Sequence, residues 1–301
     1  MEIKKLTTQP SENRESRVLA NHCLELSRQL GITKLLVFAE SVLDQRYLLE
    51  KIEQEEIILF TRNIARVRSE ISSRCTVLPL PEQHLSRSDQ LQLGLLMAVL
   101  QGLVECDETV LCLTGLVGSL RLDNLLITNL VRDNKWFRNN DITLLPQEIM
   151  RSQTFIRLLD IAVSLAKQGR EGKKIGTIFV LGNSSEYGKY LKQLVLNPFK
   201  GHGKTKRYIH DGELLETIRE YSSLDGAFVI DNDGYLERAG VLINAPSSAK
   251  VKMQKGYGTR HAAAANLTAL SRALCITISE SSSVVTIFFN GSAVLQLSVA
   301  G

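Results

Sequence analysis

The sequence predicts a two-domain α/β protein, with a three-layer first domain built on a mainly parallel sheet and a second domain built on a mixed sheet. Its 301 residues exceed what one core usually holds, at roughly 150 residues per domain. Helical and strand-like patterns alternate through the first half, as parallel strands with crossover helices require. The second half adds two hairpin signals, at Asn232-Asp233-Gly234 and Asn290-Gly291, which are typical of antiparallel strands.

The first domain is predicted to span residues 14–145. Ser16–Leu30 has the spacing of an amphipathic helix closed by Gly31, and the short apolar run Leu35–Ala39 suits a buried parallel strand. The same patterns predict helices at 42–53, 64–72 and 90–103, and strands at 57–60, 75–80 and 110–113.

A helix at 153–168, within a linker at 146–170, is predicted to join the domains, because Gly169 and a charged turn follow it. The second domain is predicted to span residues 171–301. Its expected helices are 186–195, 212–221 and 259–273, and its expected strands are 175–181, 227–230, 236–243 and 274–279, with a last hairpin through Asn290-Gly291.

Composition excludes several classes of protein. Apolar residues make up 44% and charged residues 23% of the chain, close to globular averages. A net charge of +4 is too small for a dedicated DNA-binding surface, so nucleic acid is not an expected partner. The five cysteines lack CxxC spacing and are interpreted as free, mostly buried thiols. Without a signal-like N-terminus or a long apolar stretch, we expect a cytoplasmic protein with no membrane segment.

Three segments of the second domain carry candidate chemistry: Leu224–Ala227, Gly256–His261 and Ser279–Ser282. Alone, each also fits a plain role, as a turn before a strand, a flexible approach to a helix and a solvated strand end. Together they contain what a phosphate site needs. Glycines before a helix let backbone N–H groups approach an anion, and nearby lie an arginine fork, an imidazole and carboxylates for a divalent metal. This set predicts phosphoryl-transfer chemistry.

Other phosphate motifs fail on their spacing. Gly203-Lys204-Thr205 imitates the end of a P-loop, but Pro198 stands where that motif needs glycine. Gly115–Ser119 lacks the third glycine and the lysine of the nucleotide fingerprints, so it is interpreted as a strand-to-helix turn. The basic loop Lys200–Arg207 lacks interleaved aromatic residues and is interpreted as a solvated face or a phosphate-facing rim.

The run LDGAFVIDNDGYLERAGVLINAP, followed by GYGTRHAAAANLTALSRALCITISES, resembles the diadenylate cyclase (DAC) domain. The resemblance covers about residues 175–299. It implies an enzyme that condenses two ATP molecules into c-di-AMP and pyrophosphate with Mn²⁺ or Mg²⁺, at the interface of a homodimer or larger homo-oligomer. The helix–strand order of the first domain weakly resembles the C-terminal domain of pyruvate kinase, as in the soluble branch of the family.

The resemblance also assigns residues. Asp225, Gly226 and Ala227 match the DGA motif, with Asp225 as the metal-binding catalytic carboxylate. Thr259, Arg260 and His261 match the phosphate-binding Arg-His motif, in which His261 is a second hydrogen-bond donor or a metal ligand. Catalytic roles are thereby implied for Asp225, Gly226, Arg260 and His261, and ATP contacts for Ala227, Leu242, Gly258, Thr259, Arg260, Ser279 and Glu280.

Two departures from the family pattern keep an alternative open. Ala262 stands where a second arginine is frequent, and Ser281–Ser283 replace a frequent Glu-Thr-Gly. Loss of a charge-assisted hydrogen bond is worth about 1.5 to 3 kcal/mol. The alternative prediction is therefore a catalytically weakened protein that senses ATP or c-di-AMP.

Overall fold

The computed structural model describes residues 10–38, 45–51, 55–62, 67, 74–81, 85–115, 122–133, 145–251 and 256–299. Contacts divide the chain into two compact units, Met1–Arg138 and Asn139–Gly301. Each unit contains one sheet among the described residues, of five strands in the first and seven in the second.

The first unit has a mainly parallel sheet in the order β3-β2-β1-β4-β5. Only the β4–β5 pair is antiparallel. Its elements are α1 (Pro10–Leu30), β1 (Lys34–Phe38), α2 (Gln45–Lys51), β2 (Glu56–Thr61), β3 (Thr76–Pro79), α3 (Arg87–Leu100), β4 (Val110–Gly115), β5 (Leu122–Thr128) and α4 (Leu130–Asp133).

Alternation of side chains along β1 produces the predicted three layers. Leu35 and Val37 share a buried cluster with Leu24 of α1. On the other face, Gly94 of α3 lies against the Phe38 ring, since a Cβ there would be 3.1 Å from that ring. Helices therefore cover both faces of this sheet.

Most predicted elements of the first unit are confirmed, with helix α3 ending at Leu100 rather than residue 103. The predicted helix 64–72 lies outside the described residues except for position 67, and most of the predicted turn 115–119 also lies outside them. The sequence prediction missed β5. Residues Leu122–Thr128 pair antiparallel with β4, although their run LDNLLIT is interrupted by polar residues.

The second unit has the predicted mixed sheet, with the strand order β12-β11-β10-β6-β8-β9-β7. Only β6 and β8 run parallel. Its elements are α5 (Gln147–Met150), α6 (Gln153–Gln168), β6 (Thr177–Leu181), α7 (Ser184–Tyr187), β7 (Leu191–Gln193), α8 (Gly212–Tyr221), β8 (Ala227–Ile230), β9 (Leu236–Ile243), α9 (Thr259–Ala269), β10 (Leu274–Ile278), β11 (Val284–Phe289) and β12 (Ser292–Ser298).

The predicted helix 186–195 is wrong. Helix α7 ends at Tyr187, a 3₁₀ turn covers Gly188–Tyr190, and Leu191–Gln193 form β7 on the edge of the sheet. Strand β7 pairs antiparallel with β9, and the Asn197 side chain fastens the following segment by donating to the Glu237 carbonyl over 2.8 Å. Pairing with a distant strand therefore overrides the local helical pattern.

Smaller differences concern helix ends and turns. The hairpin after β8 is confirmed, but of its three signal residues only Gly234 has a positive φ, at +91°. In the last hairpin both Asn290 and Gly291 have positive φ. Helix α9 ends at Ala269 rather than residue 273.

The structure confirms that the thiols are free and mostly buried. All five cysteines are free, and three of them, Cys23, Cys112 and Cys275, are buried. Burial raises the pKa of Cys23 to about 12, so this thiol is unreactive at neutral pH. No helix in the described ranges combines the length and hydropathy that a membrane span requires.

Candidate nucleotide site

The topology of the second unit brings the three predicted segments together at one end of the central strands. Strands β6 and β8 are parallel and start at this end, with Ile178 in register with Ala227. Strand β10 is antiparallel to β6 and ends there, with Ile278 opposite Thr177. The residues before β8 and after β10 are therefore neighbours, although they are far apart in sequence.

Arg260 connects these segments. Its Nη2 lies 3.4 Å from Asp225 Oδ1, and its Nη1 lies 3.2 Å from Glu280 Oε2. The Asp225 side chain is 92% exposed and that of Glu280 is 61% exposed, and ion pairs in such settings contribute little stability. The arrangement instead leaves two carboxylates and one guanidinium open to a ligand.

Two glycines make this arrangement sterically possible. Gly226 has a φ of +115°, and a Cβ there would lie 2.6 Å from the Val241 backbone nitrogen. Gly176, directly before β6, faces the guanidinium, because its Cβ would lie 2.6 Å from Arg260 Nη1. Any side chain at position 176 would displace Arg260 or Glu280.

Helix α9 starts beside a cleft of about 700 Å³ that is lined by Gly258–His261 and by Ile278–Ser281, among others. Gly258 is the N-cap residue and offers no side-chain cap, so the first N–H groups of the helix keep their hydrogen-bonding capacity. Thr259 is exposed at the same place. A helix start of this kind favours an anion.

His261 lies against aromatic rings. Its imidazole stacks on Tyr257 at 4.7 Å between ring centroids and meets the Phe288 ring edge-on at 5.8 Å. Burial lowers the pKa of His261, which leaves the ring neutral at pH 7 and able to accept or donate a hydrogen bond. Its predicted role as a metal ligand stays a prediction.

The serine run that departs from the family pattern forms a tight turn between β10 and β11. Ser279 Oγ lies 3.3 Å from Ser281 Oγ, and the Ser283 N–H donates to the Ser279 carbonyl over 2.8 Å. Ser283 has a φ of +57°. The turn is thus held by its own hydroxyl and backbone groups, and Glu280 projects from it.

The two remaining predicted ATP contacts differ in exposure. Ala227 is completely buried in the core, so only its backbone could reach a ligand. Leu242 lies in β9, opposite Lys192 of the edge strand, and is 42% exposed. Its contact with ATP stays a prediction.

The donor set fits a divalent ion that is shared with substrate phosphates. Mg²⁺ is commonly bound through one or two carboxylates plus phosphate oxygens. Glu280 lines the cleft, and the exposed Asp225 carboxylate is paired with Arg260, which also lines it. Within the described part of the chain, no group of three His, Cys, Asp or Glu residues converges as a complete cage. Phosphate oxygens and water molecules would complete the coordination.

Sequence reasoning missed several residues of this site. Gly176 clears space for Arg260, Tyr257 stacks on His261, and Lys173 and Lys174 line the cleft. The available signal was the run GKKIG directly before β6, since glycines and lysines before a strand of the same sheet are suited to phosphate contacts.

The fold and the site define a nucleotide-binding α/β domain, and comparisons specify the family. Residues 164–293 match the family model described as DisA bacterial checkpoint controller nucleotide-binding, abbreviated DAC. Residues 14–137 match the model described as the probable sensor domain DacZ_P. The second half of the chain is therefore similar to the diadenylate cyclase (DAC) domain family.

Two curated relatives are named diadenylate cyclase. The protein from Methanocaldococcus jannaschii is 32% identical over 176 residues, which cover 58% of this chain and 55% of the relative. The protein from Haloferax volcanii is 29% identical over 222 residues, which cover 74% of this chain and 80% of the relative. The chain thus spans little more than half the length of the first relative.

The structural likeness is weaker. The crystal structure of DacA from Staphylococcus aureus is 20% identical, has a TM-score of 0.35, and is matched over 49% of this chain and 87% of its own. The family assignment rests on the sequence matches. The predicted likeness of the first domain to pyruvate kinase stays a prediction, because the matching family model describes a sensor domain.

Proposed function

We propose that this protein is a diadenylate cyclase that condenses two ATP molecules into c-di-AMP and two pyrophosphates between two facing catalytic domains. The observation that carries the proposal is the position of Arg260 between Asp225 and Glu280 beside a cleft of about 700 Å³. A guanidinium that shares its donors between two exposed carboxylates can exchange them for phosphate oxygens.

Each residue of the site has a separate role in the proposed reaction. Arg260 binds a phosphate of ATP, which releases Asp225 and Glu280 from their ion pairs. Thr259 and the first N–H groups of α9 hold further phosphate oxygens. Asp225 would hold a divalent metal, Mn²⁺ or Mg²⁺, which would supply a lowered pKa for the attacking hydroxyl. Gly226 keeps the Asp225 backbone close to β9, so the side chain starts from a fixed point at the sheet.

Each half-reaction forms one phosphodiester bond and breaks one phosphoanhydride bond. The 3′-oxygen of one nucleotide forms a bond to the α-phosphorus of the other, and the bridging bond between the α- and β-phosphates breaks. Pyrophosphate leaves with the electron pair, and the hydroxyl proton passes to solvent. Two such events close the ring, so two catalytic domains must face each other.

The decisive test incubates the full chain with ATP and Mn²⁺ or Mg²⁺, and measures c-di-AMP and pyrophosphate by chromatography. Asp225→Asn should nearly abolish turnover while ATP affinity stays within several fold, because the change removes a charge that serves the metal but leaves the phosphate contacts. Asp107→Asn, at an exposed aspartate of the first unit, makes the same charge change and should keep normal rates. Wild-type rates in Asp225→Asn would refute the assignment.

A second candidate function is a sensor that binds ATP or c-di-AMP without turnover. It is motivated by Ala262 and by the serine turn, which place no charge where the family pattern has charged residues. The same assay separates the two candidates. A protein that binds ATP in calorimetry but releases no pyrophosphate would be the sensor.

A further inference from the structure

A charged turn at the start of the second domain, Arg170–Lys174, contributes to the cleft rather than merely linking a helix to a strand. Arg170 and Lys173 form an isolated β-bridge in which each N–H donates to the other's carbonyl, over 2.9 and 2.8 Å. The two residues between them, Glu171 and Gly172, have positive φ angles of 50° and 74°. This is the backbone of a two-residue hairpin turn.

The turn is also packed against the end of α6. Gly169 has a φ of +60°, and any Cβ there would collide with the Lys173 carbonyl oxygen. The backbone of Lys173 is therefore fixed on both sides, by the bridge and by this close approach. A fixed backbone restricts the positions that the ammonium groups of Lys173 and Lys174 can reach.

The charges of this turn are unevenly compensated. Arg170 is paired with Glu220, with Nη2 2.8 Å from Oε2. Lys174 donates only to the Ser281 carbonyl, over 3.2 Å, and the Lys173 side chain has no hydrogen-bond or ion-pair partner within the described part of the chain. Among the described residues, neither lysine is ion-paired with a carboxylate, although Glu280, which is paired with Arg260, lines the same cleft.

Both lysines border two cavities that share the guanidinium. They line the cleft of about 700 Å³ together with Thr259, Arg260 and Glu280. They also line a smaller pocket of about 200 Å³ with Arg260, Glu280 and Gly176. An anion bound at Arg260 would therefore lie between the helix start and the lysine pair.

We infer that Lys173 and Lys174 form the subsite for the terminal phosphates of the nucleotide. The same two lysines hold pyrophosphate after the bond between the α- and β-phosphates breaks. The inference rests on the proposed function, because it takes the phosphate bound by Arg260 to be part of a triphosphate. Two ammonium groups balance the negative charge that develops on the leaving pyrophosphate. AMP, which has no terminal phosphates, does not use this subsite.

The test compares inorganic pyrophosphate, ATP and AMP as ligands of the full chain in titration calorimetry. Lys173→Ala is the cleaner variant, because Lys174 also holds the serine turn. We expect pyrophosphate and ATP to bind about tenfold more weakly to Lys173→Ala, as for one lost charge-assisted contact, and AMP to bind as before. Lys173→Arg should restore most of the affinity.

Lys167→Ala is the matched control, because Lys167 is an exposed lysine of α6 that does not line either cavity. It should leave all three affinities unchanged. Unaltered pyrophosphate binding in the Lys173→Ala and Lys174→Ala variants, or an equal loss for AMP, would overturn the inference. The lysine variants should have the same thermal unfolding midpoint as the wild type, which shows that weaker binding does not come from a folding defect.

The two proposals fail in different ways. A wild-type protein that forms c-di-AMP, but whose lysine variants bind pyrophosphate normally, refutes only the subsite. A wild-type protein that forms no c-di-AMP, but binds pyrophosphate through Lys173, refutes only the cyclase function.

Discussion

At the scale of single residues, Gly226 shows how a motif position depends on the backbone around it. Its φ of +115° is open mainly to glycine, and the β9 backbone lies where a side chain would begin. The DGA motif therefore contains one residue that offers charge, Asp225, and one whose absent side chain allows the chain to reach the sheet.

Replacing Gly226 with alanine should destabilise the second unit. Residues held at unfavourable φ cost about 1 to 3 kcal/mol, and relief of the clash with Val241 adds to this cost. We expect a lower thermal unfolding midpoint in calorimetry, together with weakened activity. Gly212→Ala is the control, since a Cβ at that first residue of α8 meets nothing within 4 Å; an equal loss in both variants would contradict the steric argument.

His261 predicts a pH dependence of stability. Burial lowers the pKa of His261 from its usual 6.5, so the unfolded chain takes up this proton at a higher pH than the folded chain. The corresponding stability is present above about pH 6.5 and is lost as the pH falls through the lowered folded pKa. We expect the thermal unfolding midpoint to fall when the pH is lowered from about 7.5 to about 5.5. The same change of pH should lower the midpoint of His261→Gln by less.

The comparison needs two controls. Burial and the nearby Arg157 also lower the pKa of His210, so His210→Gln should remove a separate part of the same pH dependence. His202→Gln changes an exposed histidine and should leave the slope as it is. If the unfolding midpoint of His261→Gln depends on pH as steeply as that of the wild type, the His261 imidazole takes up no proton on unfolding.

At the scale of elements, helix α6 belongs to the core of the second unit. It packs against β10 and β11, and six of its side chains are completely buried: Phe155, Leu158, Leu159, Ala162, Val163 and Leu165. The predicted boundary at residue 171 would separate this helix from the sheet it covers, whereas the contacts group it with residues 139–301.

A fragment of residues 139–301 should therefore unfold cooperatively, and a fragment of residues 171–301 should not. Burial of each large apolar side chain is worth about 1.5 to 3 kcal/mol, and a domain has only about 5 to 15 kcal/mol of net stability. Urea unfolding followed by circular dichroism tests this. A shorter fragment with the same midpoint and slope would mean that α6 is dispensable.

At the scale of the whole molecule, the proposed reaction needs two copies of the chain. One catalytic domain presents one ATP, so neither phosphodiester bond forms until a second domain faces it. Specific activity at saturating ATP should consequently rise with protein concentration and level off once dimers predominate. Activity per protomer that stays constant well below the dissociation constant, measured by sedimentation, would show that one protomer suffices.

The sequence by itself determined the class of each sheet, most strands and helices, and the three segments that carry the site. These features follow from local periodicity, from turn residues and from motif order, all of which can be seen in a linear chain. The order of the three motif segments was sufficient to identify the DAC resemblance, which the family match at residues 164–293 supports.

Only the tertiary structure decided which side chains meet. Arg260 is 35 residues from Asp225 and 20 residues from Glu280 in sequence, and they touch because β6, β8 and β10 bring their ends together. Pairing with β9 turned part of a predicted helix into edge strand β7, and the hairpin turn after α6 placed Lys173 beside the cleft. Local pattern specifies the preferences of a segment, but strand pairing and close backbone approach depend on distant residues, which set the final geometry.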